Sequence, residues 1–134
     1  MASFSTFLAN ASLNLVLRGV AYTGDTTIYA ALFTSPTTSS GAGNEVSGNG
    51  YNRVVVSSFE PANAGQTSNA VTVTFPQATS SWGTVTHFAL FDAPTGGNML
   101  FHGELTASRL VNAGDTFVFT PGNMNVTVEL TADE

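Results

Sequence analysis

From Thr27 onward apolar residues fall at every second position, in short runs separated by turn residues. This spacing constrains the fold more than any other feature of the chain. A period of two places alternate side chains on opposite faces of a strand. Residues 69–75 show it cleanly, with Val71, Val73 and Phe75 on one face and Thr72 and Thr74 on the other. The pattern predicts strands over 27–33, 51–59, 69–75, 83–92, 98–106, 109–112, 116–120 and 124–131. In the last, Met124, Val126, Val128 and Leu130 alternate with Asn125, Thr127 and Glu129. All five prolines, at 36, 61, 76, 94 and 121, fall in the gaps, where a missing N–H breaks no ladder. Regular short strands with turns between them predict an all-β fold, an antiparallel β-sandwich of about seven or eight strands, jelly-roll or Greek-key like. No repeat or linker interrupts the 134 residues, so one β-sandwich domain over 1–134 is expected.

The N-terminal segment follows a different period. Phe4, Phe7, Leu8, Ala11 and Leu15 recur on one face of a helix over 3–18, while Leu13, Val16 and Leu17 form a second stripe. Ser3 or Ser5 can cap its start and Gly19 can supply the left-handed stop. A helix lying on one sheet needs one stripe, so two predict a helix held from both sides. Residues 1–19 are therefore expected to be a docking segment, and its removal to leave a folded domain that no longer assembles. The segment lacks a basic leader region, and Asn10, Ser12 and Asn14 interrupt it, so neither a signal peptide nor a membrane span is expected. Asn10 and Asn125 begin glycosylation patterns, which matter only on a secretory route.

Charge is scarce. Charged residues make up 9% of the chain, against about 25% in ordinary domains. There is no lysine; Arg18, Arg53 and Arg109 face nine carboxylates, and the net charge is -6. Ser, Thr and Asn supply 13, 19 and 11 residues and keep the surface polar without charge. Three cations make no basic patch, so nucleic acid is not an expected partner. The absence of cysteine removes disulfides, thiol catalysis and thiolate metal sites.

No motif carries catalysis, and no cofactor is expected. No serine lies in a G-x-S-x-G elbow. The glycine-rich stretch 41–50 lacks the lysine of a phosphate loop and the third glycine of a dinucleotide fingerprint, and reads as surface loop within the 16-residue span 34–49. Asp92, Glu104 and Asp115 would have to converge to hydrolyse a sugar. Asp92, Asn98, Asn112 and Asp115 suit calcium chemically, yet also suit plain turns, which is the preferred reading. If the turn 92–98 pairs Asp92 with Asn98, His87 lies opposite Gly103 and His102 opposite Phe88, with the rings on opposite faces. That register places Val85, Ala89, Phe91, Met99, Phe101 and Leu105 on one face and Phe88, Leu90 and Leu100 on the other. Both faces are too apolar for water, so a helix or a neighbouring subunit must cover the second. The expected interface residues are Phe4, Phe7, Leu8, Leu13, Val16, Leu17, Phe88, Leu90 and Leu100. Tyr22, Tyr51 and Trp82 are the candidates for a carbohydrate platform.

The run 81–93, Ser-Trp-Gly-Thr-Val-Thr-His-Phe-Ala-Leu-Phe-Asp-Ala, continues through Thr95-Gly96-Gly97-Asn98, residues 101–106 and residues 111–116. With residues 29–36 and 45–51 it resembles a family of small virion proteins of tailed bacteriophages. These are often labelled tail-fibre proteins, and related small β proteins serve as capsid decoration or cement. The resemblance runs from the first helix to Val128. It implies a structural protein without enzymatic activity, made in the host bacterial cytoplasm and carried on the virion. The compact chain, with no shaft-forming repeat, favours the capsid surface over the tail, bound across major capsid protein subunits. A tail-fibre or baseplate adhesin or adaptor that binds a host receptor is the alternative. Other virion proteins and further copies of the chain, a homotrimer among the options, are the expected partners, and a membrane is not.

Overall fold

The computed structural model describes residues 2–22, 27–41 and 43–128. Among these, β1 (Ala2–Phe4) and α1 (Thr6–Arg18) are followed by β2 (Tyr29–Phe33), β3 (Val54–Val55), β4 (Gln66–Ser68) and β5 (Val73–Thr74). β6 (Gly83–Phe91), β7 (Met99–Val111), β8 (Val118–Phe119) and β9 (Asn125–Thr127) complete the order. Seven strands form one curled sheet in the order β3-β2-β6-β7-β1-β9-β4, and β5 pairs with β8 in a second, small sheet. The fold is all-β and sandwich-like. Its pairs are antiparallel except β1 with β9, which is parallel.

The core lies between the two sheets. Leu32, Phe88 and Leu90 of the large sheet meet Val73, Phe75, Phe117 and Phe119 around the small one, all buried. Ring contacts run through this layer: Phe88 to Phe119 at 5.5 Å, Phe117 to Phe119 at 5.2 Å, Phe75 to Phe117 at 5.8 Å and Tyr51 to Phe75 at 6.2 Å. Trp82 meets Tyr51 edge-on at 5.4 Å and donates its indole N–H to the Asn49 carbonyl at 2.9 Å. Buried Asn69 joins the layers: its amide nitrogen donates to the Val71 and Thr120 carbonyls at 2.8 and 3.1 Å, and its Oδ1 accepts from the Met124 N–H at 2.9 Å.

The expected helix start is a strand. Residues 2–4 pair with β7 through Ala2↔Gly103, Ser3↔His102 and Phe4↔Phe101, and with β9 through Ala2↔Val126. Ser5 then caps α1, accepting from the Leu8 N–H at 3.1 Å, and Gly19 ends it at φ 67. The carbonyl of Asn14 takes the N–H groups of both Gly19 and Val20, so the last turn closes on itself. Because β1 lies between β7 and β9, the N-terminal segment is not a separable appendage. Its removal takes a strand from the middle of the sheet, so a folded domain without it is not expected.

Other expected strands shrink or merge. Residues 51–59 keep only β3, and 69–75 only β5. β4 has no apolar alternation and escaped the period-two pattern. Strands 98–106 and 109–112 are one strand, β7, although its ladder skips between Glu104 and Arg109. Glu129, Leu130 and Thr131 lie outside the described residues.

The register of the β6–β7 hairpin also differs from expectation. Only Phe91↔Met99 keeps the sum fixed by Asp92 and Asn98; irregularities between Leu90 and Phe91 and between Val85 and His87 shift the rest. His87 lies opposite Glu104 and His102 opposite Ala89, so both rings share one face. The shift brings Phe101 and Leu105 of β7 to the face of Phe88 and Leu90, in the main core with Val85. Ala89, Phe91 and Met99 turn to the other face, where they join Ala31 and Phe33 in a small separate cluster. A bulge does this because each extra residue reverses every later side chain.

The chain itself covers that second face. Thr37 Oγ1 meets His102 Nδ1 at 3.0 Å, the Thr6 N–H donates to the Ser39 carbonyl at 2.8 Å, and Thr34 N–H to the Asn44 carbonyl at 2.9 Å. The Arg53 guanidinium stands 3.8 Å over the Phe91 ring. The long loop after β2 is therefore laid along the sheet.

Candidate interaction surface

The two stripes of α1 separate in part: Leu15, expected on the inward stripe with Phe7, Leu8 and Ala11, is 48% exposed. Phe7, Leu8 and Ala11 are half-buried, and Phe7 packs on Tyr22 at 6.5 Å. Leu13, Val16 and Leu17 are 57%, 77% and 74% exposed. They stand at i, i+3 and i+4, so their side chains share one outward face. No residue of α1 is fully buried, and the helix carries no acidic residue in its first turn. An amphipathic helix normally turns its apolar side inward. Here a second apolar stripe is left to the solvent. Arg18 at its end is tied to Asn14 Oδ1 at 3.2 Å. Of the remaining expected interface residues, Phe4 stacks on Phe101 at 5.4 Å, and Phe88, Leu90 and Leu100 are buried within the fold. These last three are covered by the chain's own layers and are closed to a partner in this conformation.

The expected aromatic platform is also taken up internally. Every aromatic residue lies among the described residues, and none of the rings is exposed. Trp82 is buried and Tyr51 is locked in place. The Tyr51 hydroxyl donates to Glu45 Oε2 at 2.7 Å and accepts from the Leu32 N–H at 3.0 Å. Burial, then the hydrogen bond to Glu45, pushes this phenol far above its ordinary value of 10. Glu45 in turn holds Arg53 in both prongs, Nε to Oε2 at 2.8 Å and the NH2 nitrogen to Oε1 at 2.9 Å. The other terminal nitrogen of Arg53 donates to the carbonyls of Ala93 and Gly96, each at 2.9 Å. One cation thus fastens the long loop to the tip of the β6–β7 hairpin. Sequence reasoning missed this set; the only signal was a lone arginine within eight residues of a lone glutamate.

The carboxylates do not converge. Asp92 closes the hairpin tip, accepting from Asn98 N–H at 2.7 Å and from Asn98 Nδ2 at 3.0 Å. Asp115 accepts from the Asn112 N–H at 2.9 Å in the turn after β7. The nine residues of β6 separate these two turns by about 30 Å. They can share neither a sugar nor a calcium ion, and each serves its own turn. His87 and His102, now on one face, have Nδ1 atoms against Thr86 and Thr37 hydroxyls at 2.8 and 3.0 Å. Burial and the neighbouring His87 lower the pKa of His102 below its ordinary value. Among the described residues no group of three or more His, Cys, Asp or Glu side chains is placed to hold a metal. No helix among them is long and apolar enough to cross a membrane.

A sandwich-like chain with no exposed ring, self-satisfied turns and an apolar helix stripe turned outward has the features of an assembly subunit. Comparison with known families agrees. The model of one family, described as Podophage GP4 fiber I protein gp80, matches residues 3–127. The chain is a bacteriophage virion structural protein of the fibre type. It belongs to the family of the podophage GP4 fibre I protein gp80. No match is found among curated proteins.

Proposed function

We propose that this chain is a non-enzymatic subunit of a phage tail fibre, acting as a structural adaptor that docks on other virion proteins and on further copies of itself. The observation that carries the reading is the stripe Leu13, Val16 and Leu17, exposed on a helix whose opposite side packs on the fold. Burying a large apolar side chain contributes about 1.5–3 kcal/mol, so three of them make a docking surface worth several kcal/mol. The fibre description of the family supports the tail reading more than the capsid-cement reading. Within the tail, rings that are all buried or half-buried support an adaptor over a receptor-binding platform, because an aromatic contact surface needs a ring face open to the partner. Neither nucleic acid nor membrane has a part in this reading.

The test is cryo-electron microscopy of intact particles carrying an epitope-tagged chain, beside particles made with Leu13→Ser, Val16→Ser and Leu17→Ser together. Density at the tail for the tagged chain, lost in the triple variant, is expected. Density repeated over the icosahedral shell would overturn the tail assignment. Normal incorporation of the triple variant would overturn the role of the stripe.

A further inference from the structure

Residues 48–51 form a turn whose sequence carries chemistry of its own. The Tyr51 N–H donates to the Gly48 carbonyl at 3.0 Å, and the two central residues, Asn49 and Gly50, both have positive φ, 53 and 86. This is the mirror image of the common type I turn, and Asn-Gly is its preferred pair. The fold fixes both residues. A Cβ on Gly50 would stand 2.9 Å from the Gln77 carbonyl oxygen, so no side chain fits there. Asparagine is one of the few residues with a side chain that visits the left-handed region readily. Its Nδ2 donates to the Ser81 carbonyl at 3.3 Å. Both central residues are exposed to water.

Asn-Gly is also the pair in which a side-chain amide is most open to attack by the next main-chain nitrogen, because glycine has no side chain to shield that nitrogen. Of the eleven asparagines, only Asn49 precedes glycine. The turn restrains the attack. In a mirror-image type I turn, ψ at the first central residue is about +30°, which aims the Gly50 nitrogen away from the Asn49 side chain. Bringing the two together requires rotation of the Asn49–Gly50 peptide. The oxygen of that peptide accepts two bonds, from the Thr79 N–H at 3.0 Å and from the Trp82 indole N–H at 2.9 Å. Rotation breaks both, and it strands the indole N–H of a side chain that is 6% exposed.

We infer that Asn49 is a site of irreversible self-modification, and that the Trp82 indole holds it in check. When the turn opens, the Gly50 nitrogen gives its proton to water and attacks Asn49 Cγ. The N–Cγ bond forms, the Cγ–Nδ2 bond breaks, and ammonia leaves after taking up a proton from water. A water molecule then opens the cyclic imide. Opening at Cγ gives aspartate; opening at the main-chain carbonyl carbon gives isoaspartate, whose main chain runs through Cβ and Cγ. Nothing is oxidised or reduced, and water is the one co-reactant. Aspartate sets a carboxylate against the Ser81 carbonyl. Isoaspartate lengthens the main chain by a methylene and turns the oxygen that Trp82 bonds into part of a free carboxylate. Either product loosens Trp82, and through its edge-on contact with Tyr51 the change reaches Glu45 and Arg53. The inference does not depend on the fibre reading.

The experiment ages the purified chain in mildly alkaline buffer, folded and in urea, beside folded Trp82→Phe and Asn49→Gly. Peptide mass mapping with isoaspartate detection follows conversion, and the emission of the chain's single tryptophan follows Trp82. Conversion at Asn49 ahead of every other asparagine is expected, slower in the folded chain than in urea. Trp82→Phe should convert faster than the folded wild type by about two- to tenfold, the factor that the net contribution of one hydrogen bond gives. Wild-type emission should move to longer wavelength as Asn49 converts, while that of Asn49→Gly, which keeps the turn and loses the reacting amide, stays constant. No conversion in the folded wild type would overturn the site. Equal rates in the folded wild type and Trp82→Phe would overturn the guard. The same emission drift in Asn49→Gly would overturn the link from Asn49 to Trp82. If Trp82→Phe fails to fold, the wild type in water and in urea decides, and equal rates there would overturn the guard.

Discussion

The Tyr51 hydroxyl and the Glu45 carboxylate meet at 2.7 Å, and through Glu45 the ring is coupled to Arg53 and the hairpin tip. Residues 45, 51 and 53 close a loop that would otherwise be long and polar.

Arg53→Ala is expected to cost about 2–3 kcal/mol, at or just below the lower end of the range for breaking a buried pair. The Arg53 side chain is 7% exposed, but Glu45 keeps 27%, so water softens the loss. Arg53→Lys should recover little, because an ammonium cannot make the two-pronged contact while holding two carbonyls and lying on Phe91. Urea unfolding checks this: the midpoint should fall at an unchanged slope.

Asn69→Ala is expected to cost about 3 kcal/mol, since it orphans the Met124 N–H and two carbonyls in a site closed to water. Asn69 is 0% exposed. Asn69→Asp should be worse, because a carboxylate would face the Val71 and Thr120 carbonyls that now accept from the amide. Thermal unfolding of both variants tests the order.

Stability should change at both ends of the pH scale. His102 has its folded pKa lowered by burial and by His87, so the unfolded chain binds a proton first as pH falls. Its contribution is complete above the ordinary value of 6.5 and is lost as pH drops below it. Tyr51 is raised, so its contribution is complete below 10 and is lost as pH rises past that value. His102→Gln should flatten the acid side of a Tm-against-pH curve, and Tyr51→Phe the alkaline side.

Deleting residues 1–4 is expected to prevent folding, whereas Leu13→Ser, Val16→Ser and Leu17→Ser together should shift stability by less than about 1.5 kcal/mol, as exposed sites do. Circular dichroism and the unfolding midpoint separate the two. A folded deletion variant would mean that β1 adds little to the sheet.

The strand pattern, the Ser5 and Gly19 caps and the two helix stripes were legible because each depends on a local period or a single turn residue. β1 was not. Three residues are too few for a period, and Phe4 happens to fall in step with Phe7, Leu8 and Ala11. β4 is Gln-Thr-Ser, and strand pairing alone makes it a strand. The faces of the hairpin were assigned the wrong way because nothing local at Leu100 or in 105–108 marks a bulge. The extra residues on β7 decided that Phe101 and Leu105 share a face with Phe88 and Leu90 and not with Phe91.

β1 joins the first described residues to nearly the last, Ala2 to Val126. During synthesis the N-terminal strand must wait while more than a hundred further residues emerge, because its neighbours β7 and β9 come late. Contacts of such separation close slowly. A chain cut short in translation has nowhere to put β1, and its α1 stripe hangs from an unfinished sheet. Synthesis of β7 and β9 and the fixing of α1 against a finished sheet thus become one event, and products terminated before β9 are poorly equipped to compete for places in the particle.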